Sequence, residues 1–159
     1  MLIETKLGEL LRMHGLKLSC AESCTGGLLS NRITNVPGSS EYFPGGVVTY
    51  SYEAKESLLG VPWDLLNSVG AVSEEVVREM ARGVRRLFAA DIGVSVSGIA
   101  GPSGGTVEKP VGTTWFGLVA PQGEWARHFV WEGDREQNKF SSTEAAMQFV
   151  VDYLEGRLK

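Results

Sequence analysis

The chain has 159 residues, 43% hydrophobic and 21% charged, with a formal net charge of −4. That length fits one domain able to bury a core without disulfide or metal staples, and the acidic balance lacks the electrostatic footprint of a nucleic-acid binder. No apolar run is long enough for a membrane span, and the charged, periodic start Met1–Lys6 has no signal-peptide apolar core, so a cytoplasmic protein is expected.

In chain order, residues 2–14 read as a helix with Ile3, Leu7, Leu10 and Leu11 on one face and Gly15 closing it. A strand is expected over 16–21, then a turn at Ser23, a helix over about 25–34 and a loop over 35–40. The β-branched run Gly46–Ser51 reads as a buried strand, leading almost directly into a short helix over 53–59 that Gly60 ends. Ser73 is a good N-cap, Glu74 and Glu75 fall in a favourable first turn, and the helix runs to about Ala90, burying Val76, Val77, Met80, Val84 and Leu87. Asp91–Ser97 is a near-continuous apolar strand entering the glycine-rich loop Gly98–Gly112. Thr113–Ala120 and Trp125–Trp131 alternate around Pro121-Gln122-Gly123, a hairpin signal. Asp134 and Gln137 have capping-box spacing and open a last helix burying Phe140, Met147, Val150, Val151, Leu154 and Leu158. Alternation followed by a hairpin predicts a single three-layer α/β/α domain over 1–159, its mixed sheet including a C-terminal antiparallel hairpin.

Chemistry is concentrated in Ala21-Glu22-Ser23-Cys24-Thr25-Gly26-Gly27, a strand-to-helix junction. A serine on a tight turn beside free N–H groups is what acyl transfer needs: a hydroxyl nucleophile next to anion-stabilising donors. The polar segments 22–27, 50–55 and 98–106 all fall at strand ends, where open α/β sheets bind ligands. Neither His14 nor His128 has an adjacent carboxylate, so nothing favours a Ser-His-Asp triad. Lys55, one short turn beyond a strand, is the stronger candidate base, because partial desolvation lowers a lysine pKa; a solvated helix lysine is the alternative. The loop 96–106 resembles an anion-binding nest but matches neither a dinucleotide fingerprint nor a P-loop. Arg135 opens the last helix where a cation opposes the dipole, which suggests a role in binding phosphate. Cys20 and Cys24 are poorly placed for a disulfide and incomplete as a zinc site. From the residues alone, acyl transfer at Ser23, an anion-binding loop and a reactive cysteine all remain open.

Residues 21–27, Gly46-Val47-Val48-Thr49-Tyr50-Ser51, Glu53-Ala54-Lys55, Gly70-Ala71-Val72-Ser73 and Val96–Pro102, extended by Lys109–Thr113 and Gly133-Asp134-Arg135, resemble the CinA C-terminal domain family. Its characterised members are nicotinamide-nucleotide amidases, and the N-terminal domain that accompanies it in many longer proteins is expected to be absent. The resemblance implies hydrolysis of nicotinamide mononucleotide to nicotinate mononucleotide and ammonia by a Ser-Lys mechanism without metal or cofactor. It implies Ser23 as nucleophile, Lys55 as general base and Tyr50 as an assisting group. Thr25, Gly26 and Gly27 would supply oxyanion donors, and Gly46, Gly101, Thr106 and Arg135 further substrate contacts. The partner implied is a small pyridine mononucleotide, with no nucleic acid or membrane, and the chain is expected to form a homo-oligomer. Two departures stand out: Tyr52, where the family often has Asn, and Gln137-Asn138-Lys139, where it has other basic and apolar residues. The alternative is a non-catalytic nucleotide-binding or regulatory module of the same fold.

Overall fold

The computed structural model describes all 159 residues. Five strands, β1 (Leu18–Glu22), β2 (Gly45–Val48), β3 (Ile92–Gly98), β4 (Thr113–Ala120) and β5 (Gly123–Val130), form one sheet. Six α-helices flank it: α1 (Ile3–His14), α2 (Leu28–Thr34), α3 (Tyr52–Leu59), α4 (Trp63–Val69), α5 (Glu74–Leu87) and α6 (Arg135–Leu154). The strand order is β2-β1-β3-β4-β5, with β1 parallel to both neighbours and the β3–β4 and β4–β5 pairs antiparallel. The mixed sheet and its C-terminal hairpin are those expected. No helix is long and apolar enough to cross a membrane.

The two faces of the sheet differ in side-chain size, and the alternation of β3 shows why. Ile92, Val94 and Val96 join Leu18, Cys20, Phe116 and Leu118 in a core packed under α1, α2 and α6. The opposite face presents Ser19 beside Gly93, and Ala21, Ser95 and Gly117 in a row. These small residues let α5 lie close to the strands. Ser19 Oγ donates to Val84 O at 3.2 Å, and Ser95 Oγ donates to Val77 O at 2.5 Å. A Cβ on Gly117 would run into the Val77 carbonyl, and one on Gly93 into that of Ala81. Gly117→Val is therefore expected to cost about 3 kcal/mol or more, at or beyond the upper end of ordinary overpacking penalties. Its urea midpoint, read against Val119→Ala on the same strand, checks this.

Helix ends follow local chemistry. Ser73 Oγ accepts from Val76 N–H at the start of α5, and Asp134 and Gln137 form the reciprocal capping box of α6. On the α1–α6 side, the Arg32 guanidinium donates to both oxygens of the Glu4 carboxylate and also to Glu144, joining α1, α2 and α6.

One helix has no counterpart among the expected elements and three expectations need correction. α4 carries little local signal, because it is only seven residues long and starts behind Pro62 without a side-chain cap. β2 is a short edge strand, only partly covered, and Val48 and Tyr50 are exposed; a β-branched run does not distinguish an edge from a centre. Leu87 and Phe140 are exposed, the first in the last turn of α5 and the second with the Arg32 guanidinium over its ring. Leu158 packs against the core, but beyond the end of α6.

Candidate active site

After β1 the chain crosses to β2 through α2 on one face, then returns through α3, α4 and α5 on the other. The carboxyl ends of β1 and β3, between these diverging paths, form the crevice where open α/β sheets take ligands. Ser23 sits there, and its N–H donates to Val96 O of β3 at 3.0 Å.

The turn after β1 is organised by Glu22, whose side chain is fully buried. Its Oε1 accepts from Thr25 Oγ1 (2.6 Å) and from the N–H groups of Gly27 (3.2 Å) and Leu29 (2.9 Å). Its Oε2 accepts from the N–H and the hydroxyl of Ser30, at 3.0 and 2.7 Å. Helix α2 has glycine at its N-cap and no side-chain cap of its own, so the preceding strand's carboxylate satisfies its first donors and complements its dipole. The tight reversal is possible because Gly26 (φ +59°) and Gly27 (φ +106°) adopt left-handed backbone conformations.

Lys55 lies in the second turn of α3, whose start is fixed by Ser51 Oγ accepting from Ala54 N–H. Parallel pairing of Ala21 with Val47 and Glu22 with Val48 carries the chain past the end of β1. There Lys55 Nζ lies 3.0 Å from Ser23 Oγ and donates to Thr49 O at 2.6 Å. The lysine is 1% exposed and Ser23 8%. No carboxylate pairs with the ammonium, and burial pushes its pKa down to about 8. A neutral amine at this distance can accept the serine proton, with one N–H anchored on the Thr49 carbonyl.

The other expected residues fall into two groups. Tyr50, Gly101 and Arg135 come together: Arg135 donates to Gly101 O at 2.6 Å and to the Tyr50 hydroxyl at 3.0 Å. Tyr50 is exposed and has no hydrogen bond to Ser23 or Lys55, so an assisting part in proton transfer finds no contact here. Thr106 is exposed, and its hydroxyl accepts from Lys109 N–H within its own turn. Gly46 serves packing: a Cβ there would lie 2.6 Å from Ser30 Oγ and 3.0 Å from Cys20 O, so its bare backbone lets α2 sit on β2. The N–H of Gly26 donates to Ser23 O and that of Gly27 to Glu22. Those two expected oxyanion donors are already committed.

Of the alternatives, burial pushes the Cys24 thiol up to about 12, which removes the thiolate a cysteine hydrolase needs. His14 and His128 are exposed, the first at the end of α1 and the second stacked on Trp115, on the edge strand β5. Tyr52 packs edge-on against Trp63. Of the divergent trio, Gln137 completes the α6 capping box, while Asn138 is buried and donates to Ala100 O, tying α6 to the loop after β3. Lys139 Nζ lies 3.7 Å from where a Gly26 Cβ would stand. Glu22, Thr49 and Asn138 were missed as contributors; the one signal was a helix following Gly26-Gly27 with no cap of its own.

The family model for the CinA C-terminal domain matches residues 2–154. A CinA-like protein of Geotalea uraniireducens is 50% identical over 156 residues, covering 98% of this chain and 36% of the relative. A CinA-like protein of Chlorobium limicola is 47% identical over 158 residues, covering 96% and 37%. The chain thus spans a little over a third of the length of the curated relatives it matches. Among solved structures, a competence-damaged protein (CinA) superfamily protein of Klebsiella pneumoniae superposes with a TM-score of 0.93 at 34% identity, covering 97% of this chain and 96% of its own. A competence/damage inducible protein of Agrobacterium tumefaciens gives 0.90 at 34% identity, covering 96% and 95%. With both sequence and fold matched from α1 to α6, the chain belongs to the CinA C-terminal domain family.

Proposed function

We propose that the chain is a nicotinamide-nucleotide amidase, hydrolysing the carboxamide of nicotinamide mononucleotide to a carboxylate and ammonia through Ser23 and Lys55. The observation that carries the chemistry is the buried pair itself, 3.0 Å between Lys55 Nζ and Ser23 Oγ, with the amine's pKa depressed to about 8. Family membership supports the choice of substrate.

In the forward step Lys55 takes the Ser23 proton as Oγ attacks the carboxamide carbon. The tetrahedral intermediate collapses with the ammonium returning its proton to the leaving nitrogen, so ammonia departs and an ester remains on Ser23. Water then attacks the ester, Lys55 removes its proton and gives it back to Oγ, and the carboxylate leaves. Arg135, with no carboxylate partner and an open position beside Gly101 and Tyr50, is the cation we assign to the phosphate, with Gly101 and Thr106 on the loop beside it.

Ammonia release by the purified chain from nicotinamide mononucleotide, the riboside and free nicotinamide tests this. The mononucleotide is expected to be the best substrate, and no release from any of the three contradicts the reading. Thermal stabilisation by the mononucleotide without ammonia would favour a binding module instead. Cys24→Ala is expected to keep the rate within about threefold, since a protonated buried thiol takes no part; a loss of about a hundredfold in a folded variant would return the cysteine to candidacy.

A further inference from the structure

Resting on the reading of Ser23 as an acyl-transfer nucleophile, we infer that the N–H groups of Cys24 and Thr25 are the oxyanion hole, and that Glu22 is the residue that positions them. The hydrogen bonds of the turn lead there by elimination. The N–H of Ser23 goes to Val96 O, that of Gly26 to Ser23 O and that of Leu28 to Thr25 O, while those of Gly27, Leu29 and Ser30 all go to the Glu22 carboxylate. The N–H groups of Cys24 and Thr25 reach no acceptor in any other residue, although the two residues are only 7% and 1% exposed. Buried N–H groups without partners are rare in folded chains. Two in succession, directly after a nucleophile, match the demand of acyl transfer: donors left unsatisfied until a carbonyl oxygen takes up charge beside them. The N–H following the nucleophile has this task in other strand-turn-helix hydrolases.

Glu22 makes the arrangement specific. An uncapped helix N-terminus would offer the donors of Gly27, Leu29 and Ser30 to any anion, but the carboxylate occupies them. By holding the Thr25 hydroxyl and the first turn of α2 together, it fixes the intervening backbone so that only two donors remain. As Ser23 Oγ bonds to the carboxamide carbon and its proton passes to Lys55, the carbonyl π pair moves onto oxygen and meets both N–H groups. It returns when the C–N bond breaks.

Replacing Thr25 during translation by its α-hydroxy acid removes one N–H and keeps the hydroxyl that binds Glu22. The probe is pyridine-3-boronic acid, which forms a tetrahedral anion on a serine Oγ whatever the natural substrate. The ester variant is expected to bind it at least about tenfold more weakly, and to lose about a hundredfold in kcat on nicotinamide mononucleotide with KM nearly unchanged. Glu22→Gln, which puts a donor where two or more donors already point, is expected to shift kcat the same way while KM holds. Unchanged boronate affinity in the ester variant overturns the assignment, as does the absence of a Ser23 adduct in the unmodified chain. If that adduct forms but no nicotinamide nucleotide yields ammonia, the proposed substrate fails and boronate affinity still decides the oxyanion hole.

Discussion

Ser23→Ala is expected to lower ammonia release from nicotinamide mononucleotide by at least about 10⁴-fold, with a folded protein and little change in stability. Removing the nucleophile of a dyad removes the covalent route altogether, and what survives is the weak catalysis of binding and oxyanion donors. The fold should tolerate the change because the side chain's hydrogen bond is to Lys55, not to the scaffold; the Ser23 backbone bond to Val96 is untouched. The same chemistry requires an ester on Ser23 during turnover. Acid quenching of the native chain with substrate should trap a nicotinoyl nucleotide adduct on the peptide containing Ser23, absent from Ser23→Ala. A variant that keeps more than a tenth of the rate would transfer the chemistry to another group.

Lys55→Met is expected to lose about 10²- to 10⁴-fold in rate, the usual contribution of a positioned base, and to be at least as stable as the native chain at neutral pH. Holding the buried amine near 8 instead of its ordinary 10.5 costs the folded chain about 3 kcal/mol wherever the lysine is charged in both the folded and the unfolded state. Methionine removes that cost but leaves the Thr49 carbonyl without its donor, which returns about 1–3 kcal/mol, so a net gain of about 0–2 kcal/mol is expected at pH 7. The sign follows from proton uptake on unfolding. The cost is fully present below the folded pKa of about 8, fades as pH rises towards 10.5 and is gone above it. The advantage of Lys55→Met in urea midpoint should therefore be largest at pH 7 and shrink by pH 10. A stability difference between variant and native chain that stays constant from pH 7 to pH 10 would mean that the lysine is not strained by burial.

The layers, the sheet's mixed character and most helices were legible in the sequence because periodicity, caps and turn residues agreed. Ser73, the Asp134–Gln137 box and Gly15 mark ends that the structure keeps. What was not legible depended on register. Whether Lys55 is solvated or buried turns on β2 pairing with β1 so that residues 49–55 fold back over Ser23, and no local pattern encodes that. The same holds for the small-residue face under α5, since Ser19, Gly93, Ser95 and Gly117 gather only once three strands are aligned. Glu22 escaped notice because a glutamate at a strand end is ordinarily at the surface; here it is wholly buried because a helix lacking its own cap draws it in. Gly46 was read from its motif as a substrate contact, whereas its neighbours show a packing requirement.

The proton exchange between Lys55 and Ser23 is tested most directly by the pH dependence of kcat/KM for ammonia release between pH 6 and 10. A single ascending limb is expected, rising about tenfold per pH unit and levelling near the lysine pKa of about 8. A profile flat across that range, or a limb still rising past pH 10, would contradict a neutral, buried Lys55 as the base.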